Sequence, residues 1–366
     1  MAKKEKEVKQ LVQTKSAFTF KGIVDGMGNE NAWREDSIGK GKNKGRSYRA
    51  IRFLLQTSKF NKLSVELFGM EQEFVYPYSK AEKKSMKVPF AKRDNLPKGY
   101  HLIGINVGLE QNDGGKNIRK SLADYDAAEY IWENLNDGDS VTVSGEVTFS
   151  TYENSEGELI NQTKYAIKNI YREKQPIDFD VVNEEGESTF EEVNAFEQEV
   201  VFVGSEFDKD EGAVYVTGYT IQYGNKFTPA KFVIRPEGNK NIEKTANAFV
   251  KKMKGGDFVK VYGIALNKAE TIEIDSSEVE DNDDDIFGGE KPKGLGKSAI
   301  TSYVNELRIT GADGSTYEKG LYDLDTDFVI EELVEEENIN FGSDEDDDEI
   351  DFGGKPVDIS DDDLPF

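Results

Sequence analysis

Asn136-Asp137-Gly138-Asp139-Ser140-Val141-Thr142-Val143-Ser144-Gly145 and Lys254-Gly255-Gly256-Asp257-Phe258-Val259-Lys260-Val261-Tyr262-Gly263 share a Gly-Asp step, alternating apolar positions and a closing glycine. Alternation at period two marks a half-buried strand, and Gly-Asp before it is a turn that ends the preceding element. In both places that element has helical spacing: Leu122, Tyr125, Ala128, Trp132 and Leu135 in the first, Ile242, Thr245, Phe249 and Met253 in the second. The spacing predicts a helix over 121–135, opened by Ser121 and Asp124 as a capping box, and a second helix capped by Asn241. Helix, Gly-Asp turn, long strand therefore occurs twice.

Working outward, Ala17–Val24, Arg49–Thr57 and Leu63–Leu67 read as strands before the first helix. After it come Ser140–Phe149 and Tyr165–Tyr171, with an extra strand at Leu102–Val107. Three strands, a helix and two strands is the order of the five-stranded OB barrel, in which the helix plugs the barrel. Glu199–Phe207, Ala213–Gln222, Lys231–Arg235 and Phe258–Leu266 repeat the order. The fifth strand of that copy is either Thr271–Ile274 or Ile300–Thr310. The second is preferred because Tyr303–Ile309 sits where Tyr165–Ile170 sits in the first copy. The expected fold is mainly β: a flexible basic arm at 1–16, OB-fold domain 1 at 17–175, an acidic linker at 176–197, OB-fold domain 2 at 198–334 with an acidic loop at 275–297, and a disordered acidic tail at 335–366. Leu321–Val334 is expected to form a short amphipathic helix on the second barrel.

Charge is distributed unevenly. Residues 1–100 hold 22 Lys plus Arg against 11 Asp plus Glu, whereas the chain as a whole carries −26. From Glu331 to Phe366 there are 16 acidic residues and one basic residue, and Asp275–Glu290 has eight acidic residues and none basic. A basic front with acidic runs behind it fits a polyanion binder with an interaction tail. There is no cysteine, and His101 is the only histidine, so disulfides, thiolate zinc sites, Cys nucleophiles, Ser-His triads and paired-His metal centres are excluded within one chain. Contiguous acidic runs are not the dispersed ligands of a two-metal nuclease, and Gly294-Leu295-Gly296-Lys297-Ser298 lacks the first glycine of a phosphate loop. No enzymatic activity, cofactor or metal is expected. Met1–Gln13 has no apolar signal core and no stretch approaches membrane-spanning length, so the expectation is a soluble protein of a bacterial host cytoplasm.

Single strands are held by cations along the phosphates and by rings under the bases. The open face of the first barrel offers Tyr48, Arg52 and Phe68, and the loop between its first two long strands offers Trp33, Arg34, Lys40, Lys42, Lys44, Arg46 and Arg49. Trp33, with polar neighbours, is the leading stacking candidate, while Phe18, Phe53 and Trp132 are assigned to cores. The cations of 80–98 (Lys80, Lys83, Lys84, Lys87, Lys92, Arg93, Lys98) form either a clamp over the strand or a solvated loop.

The chain closes Ser360-Asp361-Asp362-Asp363-Leu364-Pro365-Phe366. This tip resembles the acidic C-terminal tip of bacterial single-stranded DNA-binding proteins and their phage counterparts, with Leu364 where isoleucine is usual. The resemblance implies that Asp361, Asp362, Asp363, Leu364, Pro365 and Phe366 dock replication and recombination proteins, such as a polymerase, helicase, primase or nuclease. The two-barrel length is closer to the phage proteins, and it leaves open whether the protein is a homo-oligomer. A terminal ring beside a carboxylate needs only an apolar pocket with a basic rim. Asp285–Pro292 echoes Asp351–Pro356, as a second docking peptide or as compositional drift. The alternative from another class is an acidic adaptor or DNA mimic that binds replication proteins without DNA; it leaves the basic, aromatic first barrel without a use.

Overall fold

Both Gly-Asp turns are built alike. Asp139 Oδ2 accepts the Asn136 N–H, and Asp257 Oδ2 accepts the Lys254 N–H, each at 2.9 Å. Gly138 and Gly256 stand at φ +88° and +89°, where a side chain is strained. The same carboxylates tie each turn to the last strand of its half. Asp139 pairs with Arg172, and Asp257 accepts the Tyr317 hydroxyl and the Gly320 N–H, both at 2.8 Å. The closing glycine of the repeat also has one cause in both copies. Gly145 and Gly263 sit at β-bulges, and a Cβ there would lie 1.8 Å from the Ala166 carbonyl oxygen and 1.9 Å from that of Arg308.

The computed structural model describes residues 10–153, 159–183, 189–275 and 297–328. The fold is mainly β. Its first half comprises β1 (Ser16–Asp25), β2 (Trp33–Ser37), β3 (Ser47–Gln56) and β4 (Lys62–Met70). Four two-residue strands follow, β5 (Phe74–Val75), β6 (Tyr78–Ser79), β7 (Lys84–Ser85) and β8 (Val88–Pro89). Then come β9 (Ile105–Gly108), β10 (Lys120–Leu122), helix α1 (Asp124–Asn134), β11 (Ser140–Glu153) and β12 (Leu159–Arg172). The second half has β13 (Val193–Asp208), β14 (Ala213–Ile221), β15 (Phe227–Ile234), α2 (Lys240–Lys251), β16 (Phe258–Asp275) and β17 (Lys297–Glu318).

Each half runs through a closed circuit of pairings. In the first, β1 pairs β3, β3 pairs β4, β4 pairs β12 in parallel, β12 pairs β11, and β11 returns to β1. In the second the circuit is β13, β14, β15, then β17 in parallel, β16 and back to β13. The closing strand of the second half is thus β17, while Thr271–Ile274 belongs to β16. The halves join where β1 pairs β13, from Ser16↔Gln198 to Lys21↔Val193. Asn61, fully buried at this seam, donates to the Ala265 carbonyl at 3.1 Å and to Glu192 at 2.8 Å, and accepts the Asn267 N–H at 2.7 Å. The apolar interior is continuous across it, with Phe149 of β11 meeting Phe232 of β15 edge to face.

Several expectations are corrected. Residues 10–15 of the basic arm are docked: Leu11 is buried beside Val201, Ile221, Tyr322 and Phe328, and the Thr14 N–H donates to the Ile221 carbonyl at 2.9 Å. The linker ends early, because Val193 already starts β13. Ala123 is the N-cap of α1 without a side-chain bond, since Ser121 Oγ donates to the Leu102 carbonyl instead. The buried face of α1 is Ala127, Ala128 and Ile131, with Leu135 beyond its end; Tyr125 and Trp132 lie beside that face. Asn239, not Asn241, caps α2, accepting from the N–H groups of Asn241 and Ile242. Residues 321–328 form turns rather than a helix, yet they cover the second half as anticipated. Residues 1–9, the acidic excursion 276–296 and the tail with its tip, 361–366, lie outside the described residues. Among the described residues no helix is long and apolar enough to cross a membrane.

Candidate nucleic-acid interface

Period two divides β3 and β4 into an inward row, Ile51, Phe53, Leu55, Leu63, Val65 and Leu67, all buried in the main core, and an outward row that includes Tyr48, Ala50, Arg52, Glu66 and Phe68. One end of the outward row is covered. Ile38 closes over Tyr48 and Ala50, and Tyr48, only 4% exposed, stacks on half-buried Phe68 at 5.3 Å. Tyr48 therefore anchors a small satellite core and offers no ring to a base; Phe68 retains part of its surface. Arg52 lies directly across from Glu66 in the antiparallel register and pairs with it at 2.8 Å, as cross-strand opposite charges do.

Trp33 lies opposite Ile51 and so points to the core side, where it stacks on Trp132 with centroids 5.8 Å apart. It is half-buried; of its polar neighbours Arg34 points to the other face, while Glu35 shares its face and is taken up by Arg49. Arg34, on the outward side, is 3.9 Å from Asp36. Arg49 also faces α1: its guanidinium bonds Glu35 at 2.9 Å and Glu129 at 2.8 Å and lies 4.1 Å from the Tyr125 ring centroid. Burial opposes its charge, but these partners outweigh burial and hold the pKa above the usual arginine value. Arg46 reaches Glu73 at 3.1 Å. Lys40, Lys42 and Lys44 are exposed on the loop shaped by Gly41 and Gly45, both at positive φ, and make no ion pair among the described residues.

Residues 71–104 stand against this loop through the Glu71 N–H to the Ser47 carbonyl at 2.8 Å, as well as through Arg46–Glu73. Two minimal ladders, β5–β8 and β6–β7, shape the segment. It is pinned to the helix by Arg93, which grips Asp126 at 2.5 and 2.7 Å and lies 4.1 Å from the Phe90 centroid. Arg93 is thus a structural anchor. Lys84 pairs with Glu82, and Lys87 sits over the Phe74 ring. Lys80, Lys83, Lys92 and Lys98 are exposed, and Tyr76, 58% exposed, is an aromatic here that reading the sequence for cations passed over. Its near neighbours, Phe74, Val75, Pro77 and Tyr78, carry no charge, so nothing local marks it as exposed. The structure thus joins a lysine loop to a lysine segment beside Phe68 and Tyr76, while the arginines between them are neutralised by carboxylates. Mobile ammonium groups of this kind hold phosphates without reading bases.

The family model described as YorF matches residues 15–346. No curated protein matches the chain in sequence. Among solved structures, a deletion mutant of the single-stranded DNA binding protein from Thermus aquaticus is similar over 70% of this chain and 88% of that one. The identity is 11% and the TM-score 0.31.

Proposed function

We propose that this chain, which belongs to the YorF family, is a non-enzymatic single-stranded DNA-binding protein built from two OB-type barrels. The observation that carries the reading is the pair of five-strand circuits of identical order, of which only the first bears lysine-rich insertions. Three strands, a helix and a parallel closure between the third and fifth strands match the OB order, and the insertion at 26–46 lies in the loop between strands one and two, which OB modules use to grip nucleic acid. Lys40, Lys42 and Lys44, with Lys80, Lys83, Lys92 and Lys98, hold phosphates, and Phe68 and Tyr76 support bases. The tip Asp361–Phe366 recruits replication and recombination proteins in a bacterial host cytoplasm.

Titration of labelled oligo-dT and of a duplex of equal length tests this. The expected result is single-strand affinity that falls steeply with salt and much weaker duplex binding. Equal affinity for the two overturns it. Truncating Phe366 should leave DNA binding intact and abolish capture of a replication partner that binds the full chain.

A further inference from the structure

A cleft of about 850 Å³ lies on the outward side of β1, β11 and β12, away from the β3–β4 face. The registers set its floor: Lys21 stands opposite Thr142, Thr142 opposite Tyr171, and Tyr171 beside Gly108 of β9. A Cβ at Gly108 would come within 2.6 Å of the Tyr171 ring, so the ring lies over bare backbone and is fixed there. Asn117 braces one wall by donating to the Arg172 carbonyl at 2.8 Å.

The cleft is lined by Lys21, Lys116, Arg119, Arg172 and Lys174 against two carboxylates, Glu173 and Asp178. Lys21 is matched by Glu173 at 3.1 Å, and Arg172 by Asp139. Lys116, Arg119 and Lys174 are exposed and make no ion pair among the described residues; Arg119 rests 5.2 Å from the Tyr171 centroid. In a chain of net −26, three unmatched cations flanking an aromatic floor form a site for an anion that carries a flat ring.

We infer that this cleft holds a second stretch of single-stranded DNA, which passes over the first half beyond the β3–β4 face. Lys116, Arg119 and Lys174 contact successive phosphates, and a base packs on Tyr171 when Arg119 turns from the ring to the backbone. A continuous strand suits the cleft better than a free nucleotide. Lys116 and Arg119 come from the loop between β9 and β10 and Lys174 from the chain just after β12, so the cations are supplied by two separate segments. The inference rests on the proposed single-strand binding.

The test uses the full chain and its Lys116→Ala/Arg119→Ala/Lys174→Ala variant, with oligo-dT of about 8 and about 30 nucleotides, within and well above the roughly 4–16 nucleotides that one OB module spans. For the variant, affinity for the longer strand should fall about tenfold and its salt slope should become shallower by about two units, three phosphates at roughly 0.7 each. Affinity for the shorter strand, held on the β3–β4 face, should stay within about twofold. Equal binding of the longer strand by both proteins overturns the cleft and leaves single-strand binding standing. Failure of the unaltered chain to bind either length overturns both. As a check independent of folding, photo-cross-linking of an iodouracil-containing strand to the unaltered chain should label Tyr171; cross-links at other residues but none there also overturn the inference.

Discussion

The first and second halves follow the same strand circuit but treat its outer face in opposite ways. Between its first two long strands the first half carries residues 26–46, with three lysines that make no ion pair among the described residues; the second half has only Lys209-Asp210-Glu211-Gly212. Between the third long strand and the helix, the first half inserts residues 71–123 and the second only 235–239. One end of the outer face of β14–β15 is then closed by the chain itself, with Tyr219 and Phe227 lying under Phe328, while Tyr215 stays exposed at the other. Its arginines are locked: Arg235 is held by Glu306 at 2.7 Å and Glu211 at 2.9 Å, and Arg308 by Glu237 at 3.2 Å. The pairing scheme fixes where a groove lies, and the insertions decide whether it is open and positive.

The largest expected effect comes from unseating the cover. Phe328 is 7% exposed and meets three aromatic rings, so Phe328→Ala should cost about 3 kcal/mol of stability in urea unfolding. If the cover is also what separates the halves, the variant gains single-strand affinity. A stability loss near zero would mean that residues 321–328 are not a closure at all.

Charge reversal on the loops comes next. Lys40→Glu/Lys42→Glu/Lys44→Glu should weaken single-strand binding by about a hundredfold at low salt, because three phosphate contacts become repulsions. Lys209→Glu/Lys231→Glu in the second half should change it by less than about threefold. Equal losses from the two variants in anisotropy titrations would erase the distinction between the halves.

The distinction was legible in part. Alternation in Ser140–Phe149 and Phe258–Leu266 gave the strands, and Asp139 and Asp257 marked the equivalent turns, because turn chemistry and burial period are local properties. The closing strand near Ile300–Thr310 followed from the same equivalence. Side-chain partners were not legible. Arg49 meets Glu129 eighty residues on, Trp33 meets Trp132, and Leu11 is buried in one cluster with Ile221. A cation that seems available in sequence is neutralised by a carboxylate that only the folded register brings across. Arg52–Glu66 is the exception, recoverable by aligning the alternation of β3 with that of β4. Lys116, Arg119 and Lys120 were not singled out in the sequence, and nothing in it marks Gly108, whose missing side chain makes room for Tyr171.

The repeated aspartates allow a finer comparison. Burial opposes ionisation of Asp257, but the N–H groups of Lys254 and Gly320 and the Tyr317 hydroxyl outweigh it and hold the carboxyl below the ordinary range. A depressed folded pKa adds stability that is fully present above the unfolded value, about 4, and is lost as pH falls through the folded value. Asp257→Asn offers one acceptor to donors on both oxygens, so it should cost about 2 kcal/mol at neutral pH. Urea unfolding should show that penalty shrinking toward pH 3. A penalty that does not change with pH would show that the carboxylate charge is not what closes the second half.

The smallest effect separates the basic first half from the acidic end of the chain. Residues 331–366 carry 16 acidic residues and one basic one, and the first hundred residues carry 22 basic and 11 acidic, so charges of −15 and +11 share one molecule. If the lysine loop holds DNA as proposed, a polyanion on the same chain competes for it at the effective concentration its tether sets. Exposed charges are screened beyond roughly 10 Å at 0.1 M salt, which keeps the competition weak. Deleting 342–366 should therefore tighten single-strand binding only about threefold at low salt and not at all at high salt. In the Lys40→Glu/Lys42→Glu/Lys44→Glu background the deletion should have no effect, because the surface for which tail and strand compete is gone; a gain that persists there would place the competition on another face, the Tyr171 cleft being the next to examine.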